Sequence, residues 1–295
     1  MRKKRINNQK KVSLQQSGQP FFSVIIPTLN EEKYLPRLLH ALSKQTFTSL
    51  EVIVVDASSK DHTIAEAEKF HTKIQKLTSF QIKKRTIAYQ RNFGAEKAKG
   101  VYLVFLDADV DLSPGYLQKI YTAIKKGRYD FITTWGQADT KRKIDVSLVM
   151  IYNLIIEIEK AIEKPFSPGF NTIIRSDHFR RIKFWENLSF SEDYDFTARA
   201  IREGINLKIL REPRIVISLR RFRSEGTFST ITRFVIANIY IMLKGPITTD
   251  LFEYSMGGHV HNKKSEEMYK KKLSLYLRSI QKAHKSVYDR LRKWD

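Results

Sequence analysis

Cysteine is absent from this 295-residue chain, which excludes disulfides and thiolate metal sites. Its absence leaves the redox compartment open, and a reducing cytosol is compatible with it. Long apolar runs are also missing. The nearest candidate, Phe234–Leu243 between Arg233 and Lys244, is shorter than the roughly 20 residues of a membrane-spanning helix. No apolar segment follows the basic N-terminus, so no signal peptide is expected. Glycine and proline are scarce, at 12 and 8 residues, and there is no internal repeat or low-complexity linker. Acidic residues are outnumbered, 31 against 53 Lys and Arg, for a net charge of +22.

That imbalance implies an anionic partner: nucleic acid, a phospholipid surface or a phosphorylated substrate. Its distribution narrows the choice. Arg2–Arg5 with Lys10 and Lys11 form a basic tail ahead of any periodic segment, and a second basic block runs from Lys263 to Lys293. Both read as peripheral surface charge. A third cluster, Arg211, Arg214, Arg220, Arg221 and Arg223, falls where a site could lie.

With 42% apolar residues the chain can build a substantial core, and its first half alternates strand and helix. Phe22–Ile26, Glu51–Val55, Val101–Leu106 and Tyr129–Thr134 read as buried strands. Helices are expected over Glu31–Ser43 with Asn30 as N-cap, Lys60–Phe70, Thr86–Lys99 closed by Gly100, and Pro114–Lys126 followed by Gly127. In the second half, Asp145–Ile162 reads as a long amphipathic helix. Asn171–Arg175 and Leu207–Leu210 read as short strands, and Tyr194–Glu203 as a helix closed by Gly204. Such alternation predicts an α/β fold with a mostly parallel sheet and helices on both faces. Ligands of such sheets bind outside the carboxyl ends of the strands. Pro27 and Thr28, Asp56, and the pair Asp107/Asp109 all fall at such ends. Two carboxylates closing a buried strand are costly alone; a divalent cation bridging to a diphosphate would stabilise them, since hard cations take oxygen ligands.

Five ordered segments carry a resemblance: Ser23–Glu31, Val54–Asp61, Gln90–Gly94, Phe105–Asp109 and Ser191–Asp195. Over about residues 20–225 the chain resembles a family 2 glycosyltransferase of the GT-A fold. The resemblance implies a Rossmann-like GT-A domain over 20–225. Residues 1–19 would be a basic disordered tail and 226–295 a basic, amphipathic helical extension. It implies transfer of a sugar from a UDP- or GDP-sugar to a hydroxyl or phosphate acceptor, with inversion and with Mg²⁺ or Mn²⁺.

By the same resemblance Pro27, Thr28, Asn30 and Glu31 line the nucleotide pocket, and Asp56 meets the base. Arg91 holds the donor phosphates, with Asn92 and Gly94 shaping that turn. Asp107 contacts ribose, sugar or metal, and Asp109 binds the metal. Asp193 is the catalytic base, with Glu192 beside it; Asp195 is read as structural. The chemistry asks for these groups, because a diphosphate leaving group needs a Lewis acid and an acceptor hydroxyl needs a base.

Two departures stand out. The second segment reads Asp56-Ala57-Ser58-Ser59, with one aspartate where many relatives have two. Val216–Arg220 lacks the late histidine of many relatives, so His259 and His261 are considered as substitutes. Arg220, Arg221 and Arg223 precede the apolar segment 227–243 and resemble the phosphate or lipid contact of relatives with membrane acceptors. Trp135, Gly136 and the helix after Asp145 are placed on the acceptor side by topology alone. The expected partners are a nucleotide-sugar, a glycan or lipid-linked acceptor and an anionic membrane surface at the inner face of the cell membrane, not nucleic acid. An inactive scaffold of the same fold and a basic nucleic-acid-binding protein are the alternatives. A nucleotidyltransferase is disfavoured by the lack of a Gly-rich, Lys-containing phosphate loop.

Overall fold

Period-two alternation places the strand residues Val24, Ile26, Val52 and Val54 on one side of a sheet and Ile25, Ile53 and Val55 on the other, all of them buried. The structure is a computed structural model that describes residues 18–188 and 191–226. Its seven strands are β1 (Phe22–Thr28), β2 (Leu50–Asp56), β3 (Leu77–Gln81), β4 (Tyr102–Leu106), β5 (Phe131–Ala138), β6 (Asn171–Arg175) and β7 (Leu207–Ile217). They form one sheet in the order β3-β2-β1-β4-β6-β5-β7. All pairings are parallel except those of β6, which runs antiparallel to β4 and β5.

Helices cover both faces, as the alternation predicts. On one, α1 (Leu35–Ser43) and α4 (Tyr116–Gly127) bury Leu35, Leu38, Leu39, Tyr116, Leu117 and Ile120 against β1, β2 and β4. On the other, α3 (Ile87–Lys97), α6 (Ser176–Ile182) and α7 (Glu192–Arg202) build a second core with Phe105, Phe131, Phe179 and Phe196. The short α2 (Thr63–Glu68) joins the first core through Ala67. The long α5 (Lys143–Ala161) lies against β5, where Asn153 both donates to the Gly136 carbonyl at 3.0 Å and accepts its N–H at 2.7 Å. A final turn of helix, α8 (Arg220–Glu225), follows β7.

Several boundaries differ from the sequence reading. Helix α1 starts at Leu35, not Glu31, and Asn30 is not its cap: Asn30 has φ 54° and its Oδ1 accepts the Lys60 N–H at 2.7 Å. The five residues before α1 are thereby drawn into a loop shared with the end of β2. Helix α2 begins at Thr63, not Lys60, and Ser59, with Ser58 a candidate to open it, bonds Asp56 and Asn30 instead. Helix α7 starts two residues earlier than expected, so Glu192 and Asp193 lie in its first turn, where carboxylates are favoured by the exposed N–H groups. Asp195 pairs with Arg199 one turn on at 2.7 Å, in keeping with a structural role. Gly204 takes φ 77° just past the helix, as read. The segment 227–243, His259, His261, both basic tails and the proposed extension lie outside the described residues. Among the described residues no helix is long and apolar enough to cross a membrane.

Candidate active site

Thr28 and Asp56 are register partners at the carboxyl ends of β1 and β2. Thr28 Oγ1 donates to Asp56 Oδ1 at 3.0 Å, Ser59 N donates to Oδ2 at 2.8 Å, and the Ser59 hydroxyl also reaches Oδ1. These donors satisfy a carboxylate with no exposed surface. From α3, Gln90 Nε2 bonds both strand ends, to Thr28 O at 2.9 Å and Val55 O at 2.8 Å. Gln90 was not singled out from the sequence, although it opens the Gln90–Gly94 segment.

Beyond β4 the two aspartates are held by different arginines. Arg91, 1% exposed, donates to Asp107 Oδ1 at 2.9 Å and to Glu192 Oε1 at 2.7 Å. It therefore ties α3 to the end of β4 and to the start of α7. Gly169 makes this possible, because a Cβ there would overlap the guanidinium. Arg220 reaches in from α8. It grips Glu31 with two hydrogen bonds, at 2.7 and 2.8 Å, and its Nε lies 2.9 Å from Asp109 Oδ2. The Tyr34 ring lies against the same guanidinium, 4.2 Å from its centre.

Asp193 completes the arrangement. Its Oδ2 accepts the Gly169 N–H and its Oδ1 the Tyr194 N–H, both at 2.9 Å. Burial pushes its carboxyl above the usual aspartate range. Burial and the adjacent Asp193 push Glu192 up in the same way, with Arg91 opposing. Glu31 is pushed up to about 7 by burial, against the pull of Arg220, and burial raises Asp109 too. The edge thus crowds several carboxylates whose ionisation burial opposes, and a cationic ligand there would favour their charged forms.

A cleft of about 230 Å³ opens over this edge, lined among others by Thr28, Glu31, Asp107, Asp109, Arg220 and Arg221. Most of the sequence-read residues meet there or directly behind it. Asn92 does not: its amide is spent on the Phe184 backbone, at 2.9 and 3.0 Å, and on Glu186 at 3.0 Å. It fastens α3 to the loop after α6. The arginine cluster also divides. Arg223 pairs with Asp139 and Asp145, and Arg211 and Arg214 stack over Trp135 at 5.1 and 5.6 Å. Among the described residues no group of three or more His, Cys, Asp or Glu is arranged to hold a metal ion by itself. Two polar groups went unread. Tyr152 Oη and Glu159 Oε2, on α5, are buried without a hydrogen-bond partner among the described residues, and the charge of Asp193 acts on Tyr152.

A sheet with one antiparallel strand, carrying acidic residues at the end of β2 and just past β4 and a carboxylate at the start of a facing helix, fits the GT-A class of fold. The chain belongs to glycosyl transferase family 2, whose model matches residues 23–183. It is 28% identical over 206 residues to the poly(ribitol-phosphate) beta-N-acetylglucosaminyltransferase TarS of Staphylococcus aureus, an alignment covering 68% of this chain and 36% of TarS. It therefore spans little more than a third of that relative. The structure of S. aureus TarS 1–349 in complex with UDP-GlcNAc matches with a TM-score of 0.56 at 27% identity, over 67% of this chain and 58% of that one. A mannosyltransferase from Pyrobaculum calidifontis, solved with GDP-Man and Mn²⁺, matches with a TM-score of 0.57 over 77% of this chain and 71% of that one. At 20% identity that likeness speaks to the fold alone.

Proposed function

We propose that this chain is an inverting glycosyltransferase of cell-envelope glycan synthesis. It moves a hexosyl or N-acetylhexosaminyl group from a UDP- or GDP-sugar onto a hydroxyl or phosphate of a glycan or lipid-linked acceptor. The observation that carries this reading is the joining of two carboxylates by one buried guanidinium: Arg91 links Asp107 at the candidate donor edge to Glu192, next to Asp193. The candidate base is thereby coupled to the candidate donor site. The TarS structure, which holds UDP-GlcNAc, supports a nucleotide-sugar donor.

Each group then has a chemical task. Pro27, Thr28, Asn30 and Asp56 hold the nucleoside end, with Glu31 beside them. Asp107, fixed by Arg91, faces the ribose or sugar. Arg220 and Arg221 border the cleft where the diphosphate would lie, and guanidinium matches phosphate oxygens bidentately. Asp193 takes the proton of the acceptor hydroxyl as its oxygen attacks the anomeric carbon. The bond from that carbon to the diphosphate oxygen breaks on the opposite side, which inverts the centre. A single base suffices, unlike the carboxylate pair of a glycosidase. The backbone N–H groups of Gly169 and Tyr194 hold Asp193 in place.

A divalent cation fits this edge. Asp109 offers hard oxygen donors, is half-buried, and shares Arg220 with Glu31. Asp109 with Asp107 would hold Mg²⁺ or Mn²⁺, and the ion would supply Lewis-acid stabilisation of the departing diphosphate. Nucleoside diphosphate release from UDP-GlcNAc and GDP-mannose, measured with glycan acceptors, tests the proposal. Asp193→Asn should lower turnover about a hundredfold or more while donor binding persists. Wild-type turnover in that variant would refute the assignment of the base.

A further inference from the structure

Helix α5 turns its inner side toward the site and its outer side toward nothing described. Val149, Asn153 and Ile156 are buried against β5, and Tyr152 and Glu159 face the region of Asp193 and Tyr194. Ten positions of the helix are exposed, and seven of them carry large apolar side chains. Met150, Ile151, Leu154, Ile155 and Ile158 are each 47–65% exposed, and Ile162 just beyond the helix is 59% exposed. A contiguous apolar face of this kind marks an interaction surface.

The charges around it indicate what it meets. None of the ten exposed positions is acidic. Asp145 is buried and paired with Arg223, Glu157 is bound by Trp135 and Arg211, and Glu159 turns inward. Cations stand at both ends of the face: Lys141, Arg142 and Lys143 before it, Lys160 and Lys164 after it. An apolar stripe with no acidic residue among its exposed helical positions, and with five basic residues around its ends against the single acid Glu163, complements a lipid surface with anionic headgroups. There the helix would lie in the plane of the interface, and its lysines and arginines would reach the phosphates. The chain's net charge of +22 favours the same surface.

We infer that the outer face of α5 docks on an anionic membrane surface. The same helix borders the candidate base on its inner side. Resting on the glycosyltransferase reading, this makes the acceptor a membrane-held molecule presented to Asp193 from the α5 side. The docking itself does not depend on that reading.

The lack of cysteine allows a clean test on the full chain. Leu154→Cys is labelled with an environment-sensitive fluorophore. Thr72→Cys serves as control, since it lies near β3, at the opposite edge of the sheet from β5. Phosphatidylcholine vesicles with and without phosphatidylglycerol are added. The expected result is a blue shift of the Leu154→Cys probe with anionic vesicles only, and none at Thr72→Cys. In flotation, Ile151→Asp/Ile155→Asp should bind these vesicles at least tenfold more weakly, with an unchanged melting shift from nucleotide-sugar. That donor shift reports on the glycosyltransferase reading separately, so the two ideas can fail independently. A probe already blue-shifted without lipid would overturn the inference, because residues 227–243 or a second copy would then cover the face; gel filtration tells these apart. No shift with any vesicle would overturn it as well.

Discussion

Arg220 Nε lies 2.9 Å from Asp109 Oδ2 while the same guanidinium grips both carboxylate oxygens of Glu31. One cation thus serves the buried Glu31 and the half-buried Asp109, from loops after different strands, and closes α8 onto the sheet edge. Removing it leaves both acids without their main counter-charge. Arg220→Ala should therefore lower the melting temperature by several degrees, in line with about 2–3 kcal/mol for a partly exposed version of a broken buried pair. If Asp109 and Glu31 bind cations, Mn²⁺ should raise the melting temperature of this variant more than that of the wild type. Thermal unfolding with and without Mn²⁺ checks both.

Asp193 must be ionised to take a proton, and burial holds its carboxyl above the usual aspartate range. Turnover should therefore fall on acidification at a pH above the roughly 3.9 of a free aspartate. Glu192→Gln removes a neighbouring negative charge and leaves Arg91 with fewer carboxylates to serve. The acid limb of kcat/KM should then move to lower pH. A limb that stays in place in this variant would show that another group sets it.

Arg91 is buried between Asp107 and Glu192, with its face 5.4 Å from the Phe184 ring. Arg91→Met strands two acids and should cost about 3–5 kcal/mol, read as a lower denaturation midpoint. Gly169→Ala disturbs the same guanidinium by contact alone and should show a smaller loss, together with weaker donor binding by calorimetry.

Glu159 is pushed up to about 7 by burial, from 4.5, and Oε2 has no partner among the described residues. The folded chain keeps this proton between those values while the unfolded chain releases it. Its stability contribution is thus full below pH 4.5 and lost as the pH rises through about 7. Glu159→Gln should stabilise the protein by on the order of 2 kcal/mol above pH 7 and leave it unchanged in acid. Denaturation midpoints across that range test the sign.

The sheet centre and the donor edge were legible because buried strands write themselves as apolar runs. β1 and β2 end on Thr28 and Asp56, β4 is followed at once by Asp107, and β6 spans Asn171–Arg175 as expected. The edges were harder. β3, Leu77–Gln81, has one buried residue in five and leaves no apolar run. β7 runs to eleven residues against the four expected over Leu207–Leu210, because Arg211, Glu212, Pro213 and Arg214 in its middle break the apolar run. As the other edge strand it can carry charge and proline on an open side. Asn30 has the residue type of a helix cap, yet the loop from Thr28 to Tyr34 is organised by Ser59, Thr63 and Asp61 from the next strand end. The arginine–carboxylate pairings were not legible at all. Arg220 and Glu31 are 189 residues apart, and no local pattern joins them.

The most direct measurement is a melting series of the full chain with UDP-GlcNAc, UDP, GDP-mannose and GDP, each with and without Mn²⁺, repeated on Asp109→Asn. A donor at a hundred times its dissociation constant adds roughly 2.7 kcal/mol. The account predicts a metal-dependent rise with one nucleotide class, much reduced in Asp109→Asn. No rise with any nucleotide, or an equal rise in the variant and without metal, would contradict a donor site at the Asp107–Asp109 edge.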